Sequence, residues 1–493
     1  MISLPFVSCC PQGLLSVFQA MPFARILRSS ALIGGAQVIS LGIGFVRLKV
    51  IALLIGPAGV GLVGVLSAIN GNITALAGWG IGTSGVRVIA GSSDAEKAGK
   101  VAAVRRFGAL LSWLGLLAVI LLSWPIGRAT FHNGEHGAEL FIAGLAVPLA
   151  IATSMWSALL HAHGKLKTLA KTQVISALAG LFLGLPLIYY FELKGVAASI
   201  LLAAVAPAFV TWRAARRHCP PSGMPAAPED VKSLILLGGA LMIVGLSSQI
   251  SAYVIRLLII RLEGLEAAGY YQAAFAVAGS LPGFVFMAMS SDFFPRIAAA
   301  RDEIEAQYLT ENQIRAGLLL ALPFIVILLT MGKLCIRILY ASAFDAAIPL
   351  LSWMIWGVFL RLISWPMGHW MLARGSSRVV IMTEILGNTI LVLMPVVLMP
   401  IYGLTGAAMG YFLSYACYTI IMMFISFRLS GQWLGRQTLK WFAGAAIVLG
   451  LSQWLAVRLD GSYGGLIPSL AVTAGCVWLY FRTMSRDREL PPG

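Results

Sequence analysis

The sequence predicts an all-α, polytopic membrane protein with about 14 transmembrane helices, on three observations. Hydrophobic residues make up 59% of the 493-residue chain and charged residues 11%, far from the roughly 25% charged share of a soluble domain. Apolar runs of about 20 residues, the length that crosses a ~30 Å hydrocarbon core, recur from end to end. The cations between those runs alternate in density, as topology signals do. Little sequence remains for a soluble domain.

Taken in order, the expected spans are 29–54, 60–86, 107–125, 138–160, 173–191, 195–212, 234–258, 267–293, 317–338, 347–372, 380–401, 404–427, 441–457 and 464–481. One alternating set of loops and ends holds 24 of the 35 Lys and Arg residues, among them Lys97, Lys100, Arg105, Arg106, Arg213, Arg216 and Arg217. The opposite set holds only Arg128, Lys194, Arg261 and Arg458. Positive loops face the cytoplasm, so both termini are expected there. The net charge of +16 is spread over short basic loops that meet anionic lipid headgroups. No nucleic-acid stripe or module is visible.

Residues 1–24 form an N-terminal extension. The first 20 contain Cys9 and Cys10 but no Lys or Arg, so they lack the positive region of a secretory signal, and Met21 is an alternative start. The remaining cysteines, Cys219, Cys335, Cys417 and Cys476, have neither metal nor redox spacing. No metal or cofactor is expected.

The spans repeat internally. Arg87-Val88-Ile89-Ala90 returns as Arg296-Ile297-Ala298-Ala299, and Arg47 as Arg256; Gly56 and Gly61 return as Gly264 and Gly269, and Leu193-Lys194-Gly195-Val196-Ala197 as Leu404-Thr405-Gly406-Ala407-Ala408. Each unit has six spans, an even number, so the copies are parallel and related by an axis along the membrane normal, with a site between them. The organisation is therefore a lobe at 25–212, a cytoplasmic linker at 213–233, a second lobe at 234–430, and two additional helices with a tail at 431–493.

Arg47 lies in the segment from Gly44 to Gly56, which apart from Lys49 is apolar. An ionisable group inside a bilayer costs at least ~2.5 kcal/mol and usually marks a substrate or ion path, so Arg47 points to a transported anion. Arg256 is expected opposite it across a central cavity, with Arg87 and Arg296 at the cytoplasmic mouth. Lys49 and Arg361 complete the cationic candidates. Each has a plain alternative in snorkelling, lipid anchoring or internal pairing. Asp292 and Glu384 are the acidic groups available for ion coupling, and interfacial solvation explains them equally well.

The stretch Gly44-Phe45-Val46-Arg47, the turn Gly56-Pro57-Ala58-Gly59-Val60-Gly61 and the two six-span lobes resemble the polysaccharide flippases (O-antigen type, Wzx-like) of the multidrug/oligosaccharidyl-lipid/polysaccharide exporter superfamily. Phe293-Phe294-Pro295-Arg296 and Ala373-Arg374-Gly375-Ser376-Ser377-Arg378 look like further family stretches, and the resemblance covers roughly residues 25–430. It implies two MATE-like lobes plus two C-terminal helices, no enzymatic reaction, and alternating-access translocation of an undecaprenyl-diphosphate-linked glycan across the bacterial cytoplasmic membrane. It also implies membrane lipids and other polysaccharide-assembly proteins as partners. Arg suits a diphosphate because its planar fork is always charged and bonds two oxygens at once.

A cation-coupled drug or metabolite exporter of the same superfamily is the nearest alternative. Such an exporter favours acidic cavity residues, whereas the charges within these spans are mostly basic. A membrane enzyme on lipid-linked sugars fits less well, since the longest external loop, Ile126 to Gly137, has about a dozen residues. Gly80-Ile81-Gly82-Thr83-Ser84-Gly85 spells a dinucleotide fingerprint but follows no strand; here it permits close helix contact or a break in span two. His132-Asn133-Gly134-Glu135-His136 spells an inverted zinc-protease pattern with no evident helix to align its histidines. Trp79, Trp156, Trp353, Trp356, Trp365 and Trp370 are candidates to stack on sugars or to form the interfacial belt.

Overall fold

The computed structural model describes residues 22–131, 136–219, 227–373, 377–458 and 468–476. All regular structure among them is helical: α1 (Pro22–Gly78), α2 (Ile81–Ala90), α3 (Asp94–Thr130), α4 (Gly137–Gly144), α5 (Ala146–Ala162), α6 (Leu166–Phe191), α7 (Gly195–His218), α8 (Pro228–Ala298), α9 (Glu303–Thr330), α10 (Gly332–Leu339), α11 (Ala347–Ala373), α12 (Ser377–Ser430) and α13 (Arg436–Arg458), with short 3₁₀ turns at Glu192–Lys194 and Ser342–Phe344. The chain is a multi-pass membrane protein.

Nine helical segments among the described residues are long and apolar enough to cross a membrane, and four of these run 52–57 residues. A straight helix of that length would reach roughly 80 Å, far beyond a ~30 Å hydrocarbon core. Each is broken in the middle instead. The breaks fall at Gly56 (φ 63°, ψ −162°), Gly264 (φ 87°, ψ 178°) and Gly403 (φ 57°, ψ −144°), and at Glu192 (φ 49°, ψ −129°) between α6 and α7. This backbone region is nearly restricted to glycine. Counting each broken helix as two crossings gives thirteen among the described residues. The expected span 464–481 is described only at 468–476, which is helical.

The breaks reproduce the repeat. Gly56 and Gly264 are 208 positions apart, Glu192 and Gly403 are 211 apart, and each pair ends equivalent spans. Around them the helices gather in two groups. In the first, α1, α6 and α7 pack together with α3 and α5; in the second, α8, α11 and α12 pack together with α9. α1 and α8 form the main contact between the groups, and α13, which lies outside the repeat, rests on α9.

One span differs in extent from the sequence expectation, and the break expected in span two is present. The ninth span, expected as one run at 317–338, ends at Thr330, and a separate helix α10 follows. Its start lies earlier because the Asp302 carboxylate accepts from the Glu305 backbone N–H at 2.7 Å and caps α9. Span two is interrupted at Trp79 (φ 46°) and Gly80 (φ 61°). At Gly80 a Cβ would stand 2.9 Å from the carbonyl oxygen of Gly238, so the glycine-rich stretch provides both the break and the close approach.

Candidate functional site

A cavity of about 420 Å³ opens inside the second group of helices. The first half of α8 supplies Arg256 and the second half Tyr271 and Phe275. α11 supplies Arg361 and His369, while α12 supplies Glu384, Tyr411, Tyr415 and Tyr418.

Arg256 is 8% exposed, and its position is over-determined. Its Nε and Nη2 donate to Oε1 of Gln272 at 3.1 and 2.7 Å, and its Nη1 donates to the Ala252 carbonyl at 2.7 Å. The guanidinium carbon lies 5.6 Å from the Phe275 ring centroid, within cation–π range. One N–H on each Nη remains for a ligand. A buried cation held by neutral amide and carbonyl oxygens keeps its charge uncompensated, which suits an incoming anion.

Arg361 stands between two rings, 5.1 Å from the Phe286 centroid and 5.8 Å from that of Tyr415. It is within reach of the Tyr411 hydroxyl and feels the Glu384 carboxylate. Tyr411 and Tyr415 sit edge-tilted at 4.9 Å. The cavity therefore combines two cationic forks, one carboxylate and several phenol hydroxyls, a set able to bind phosphate oxygens and sugar hydroxyls together.

Arg47 is half-buried in the first group. A methyl at Gly184 would stand 3.5 Å from its Nη2 and one at Gly180 3.8 Å from its Nη1, so the guanidinium lies on a glycine face of α6. Its Nε is buried without a hydrogen-bond partner. The nearby depression, about 500 Å³ and more open, is lined by small residues including Ser67, Asn70, Thr74, Ala150, Ala203 and Ala204. Arg47 does not line the cavity of Arg256.

The other cationic candidates lie elsewhere. Lys49 donates from Nζ to the Arg337 backbone carbonyl at 2.9 Å, crossing to the second group. Arg87 is exposed in the last turn of α2, and Arg296 is exposed near the end of α8. The side chain of Asp292 lies outside the described residues, as do His132 to Glu135, residues 374–376 and the segment before Pro22. Of the tryptophans, Trp365 lines the cavity. Trp79 instead donates to the Ile235 carbonyl at 2.8 Å, Trp356 donates to Gln453 at 2.9 Å, and Trp370 is 1% exposed.

The tyrosines were absent from the sequence-based candidates. Tyr411, Tyr415 and Tyr418 carried a readable signal, since spacings of four and three place them on one helix face.

The profile of the family described as polysaccharide biosynthesis protein matches residues 26–301, more than half of the chain. This chain belongs to the polysaccharide biosynthesis protein family. A lipid III flippase of Escherichia coli K12 is 24% identical over 410 residues, covering 80% of this family member and 96% of the relative. A putative O-antigen transporter of Shigella flexneri is 22% identical over 367 residues, covering 72% and 87%. Among solved structures, the lipid II flippase MurJ in an inward closed conformation superposes with a TM-score of 0.70 at 14% identity, covering 92% of this chain and 99% of that one. An inward-facing MATE transporter of the MOP superfamily follows at 0.64 and 14%, covering 80% and 98%. The fold of this polysaccharide biosynthesis protein is thus the two-lobed MATE and MurJ fold, and the names of these relatives describe transport rather than an enzymatic reaction.

Proposed function

We propose that this protein is a flippase, not an enzyme, that carries an undecaprenyl-diphosphate-linked oligosaccharide, an O-antigen or related exopolysaccharide unit, across the bacterial cytoplasmic membrane by alternating access. Both termini lie in the cytoplasm, and the lobes are the units that rock. The observation that carries this reading is the convergence of Arg256 and Arg361 on one tyrosine-lined cavity among membrane-spanning helices. Family membership and the names of the relatives support the substrate class.

The two guanidinium groups bind the diphosphate, and the phenols with Trp365 meet the glycan. Arg47 offers a second anion contact in the other lobe. In cells that depend on this gene for surface polysaccharide, Arg256→Ala and Arg361→Ala each lower glycan display at least about tenfold, equivalent to ~1.4 kcal/mol of lost interaction, and lipid-linked precursor accumulates. Arg256→Lys and Arg361→Lys recover part of the display because they retain charge without the fork. Normal display in the double alanine variant at unchanged protein level rejects the reading.

A second reading, a cation-coupled exporter of drugs or metabolites, draws on Glu384, a carboxylate lining the same cavity. Gradient-driven uptake of an organic cation by proteoliposomes, abolished by Glu384→Gln, would favour it.

A further inference from the structure

Two cations cross between the lobes at the end that carries the Gly56 and Gly264 breaks. From the first lobe, Lys49 donates to the Arg337 carbonyl in the last turn of α10 at 2.9 Å. From the second, Arg261 donates to the Ala129 carbonyl from Nε at 3.0 Å, and from Nη2 to the Ala129 and Arg128 carbonyls, in the last turn of α3. Lys49 belongs to the first span of its lobe and Arg261 to the first span of the other. Their acceptors close the third span of the opposite lobe, α3 in one and the α9–α10 continuation in the other. The arrangement is reciprocal at the level of spans but not of residues, since by the 209-residue offset Lys49 matches Leu258 and Arg261 matches Ala52.

The chemistry at both points is the same. The last carbonyls of a helix lack intrahelical partners and form the negative end of its dipole, where a cation is favoured. At the second point the Tyr253 hydroxyl also meets Thr130 Oγ1 at 2.8 Å. Between the two points the lobes touch backbone to backbone: a Cβ at Gly269 would stand 2.0 Å from the Pro57 oxygen, and one at Gly61 would stand 2.3 Å from the Leu265 oxygen. No separation of the lobes at this end leaves both cations on their acceptors.

We infer that Lys49 and Arg261 form a reciprocal pair of helix-end latches that hold the lobes shut at the Gly56 end and set how readily that end opens. That this end is the glycan exit rests on the flippase reading and its orientation; the latch itself does not. Lys49 is then a gate residue rather than a diphosphate ligand. The acceptors are backbone carbonyls at exposed helix ends, so water satisfies them once the cation leaves, and the latch is reversible.

The test reads distance without substrate. Nitroxide labels replace Tyr190 (76% exposed) and Tyr402 (53% exposed), which flank the Glu192 and Gly403 breaks in opposite lobes, in protein whose six cysteines are serine. Distances are measured by double electron–electron resonance in nanodiscs. Lys49→Ala and Arg261→Ala each raise the ratio of long to short distances about three- to tenfold, and the double variant raises it by roughly the product, as independent contributions to one equilibrium do. Lys49→Arg and Arg261→Lys, which keep a donor, stay near the parent. A double alanine variant with the parent distribution overturns the latch. If glycan display falls while that distribution is unchanged, the two cations are substrate contacts and the latch is likewise overturned. If distances shift in a protein on which glycan display does not depend, the latch stands and the flippase reading fails.

Discussion

In the second lobe Arg256 and Arg361 converge on a cavity ringed by tyrosines, whereas in the first lobe Arg47 lies on a glycine face beside a depression of small side chains. The two lobes repeat the same order of spans, and side chains at matched positions carry much of the difference. With the 211-residue offset, Arg361, Tyr411 and Tyr415 correspond to Ala150, Ile200 and Ala204. All three of the latter line the first-lobe depression. Of the two cavity arginines only Arg256 has a counterpart in the first copy, Arg47; the other repeated pair, Arg87 and Arg296, lies away from the cavity. Duplication supplied two similar frames, and only one acquired a charged, tyrosine-lined interior. A cation among neutral hydrogen-bond acceptors binds an anion strongly where water is scarce, and the more open site screens it more.

The largest expected effect breaks this comparison directly. Arg256→Ala combined with Arg361→Ala lowers the initial rate of lipid-linked glycan flipping in proteoliposomes about a hundredfold, two desolvated charge contacts at ~1.4 kcal/mol each, while Arg47→Ala lowers it tenfold or less. Equal losses would erase the distinction between lobes.

An intermediate effect concerns the shared backbone. Glu192 holds the left-handed break that Gly403 holds in the other copy, and a side chain there costs on the order of 1–3 kcal/mol. Glu192→Gly therefore stabilises the first lobe and Gly403→Val destabilises the second by about that amount, read as thermal unfolding in detergent. A gain on Gly403→Val would show that the two breaks are not equivalent.

The smallest effect lies outside the membrane, at the ion pair that braces α10. Arg337 Nε donates to Asp345 Oδ1 at 3.0 Å, and this hydrogen bond holds the Asp345 carboxyl below its usual range. A carboxyl whose folded value is lowered contributes stability above its unfolded value, near pH 4, and loses it as pH falls through the lowered value. Parent protein should show a small drop in unfolding temperature below about pH 4 that Asp345→Asn lacks. Because the pair is exposed, the drop is slight, and its persistence in the variant would assign it to other carboxylates.

Class and the paired organisation of spans were legible in the chain, whereas the turn that ends the ninth span at Thr330 was not. Apolar runs, the alternation of cationic loops and the paired Gly56 and Gly264 are local features, and a bilayer forces every span to satisfy its backbone internally as helix. The charged residues were legible as candidates, and Arg256 and Glu384 do line the cavity. What each one faces was not. In spans that are apolar all round, periodicity does not mark the inward side, so the reach of Lys49 to a carbonyl 288 positions away and the seat of Arg47 on Gly180 and Gly184 were decided only by how the helices rotate and pack. The sequence determined which charges enter the membrane; the tertiary structure decided which of them meet, because only packing brings residues of distant spans to one place.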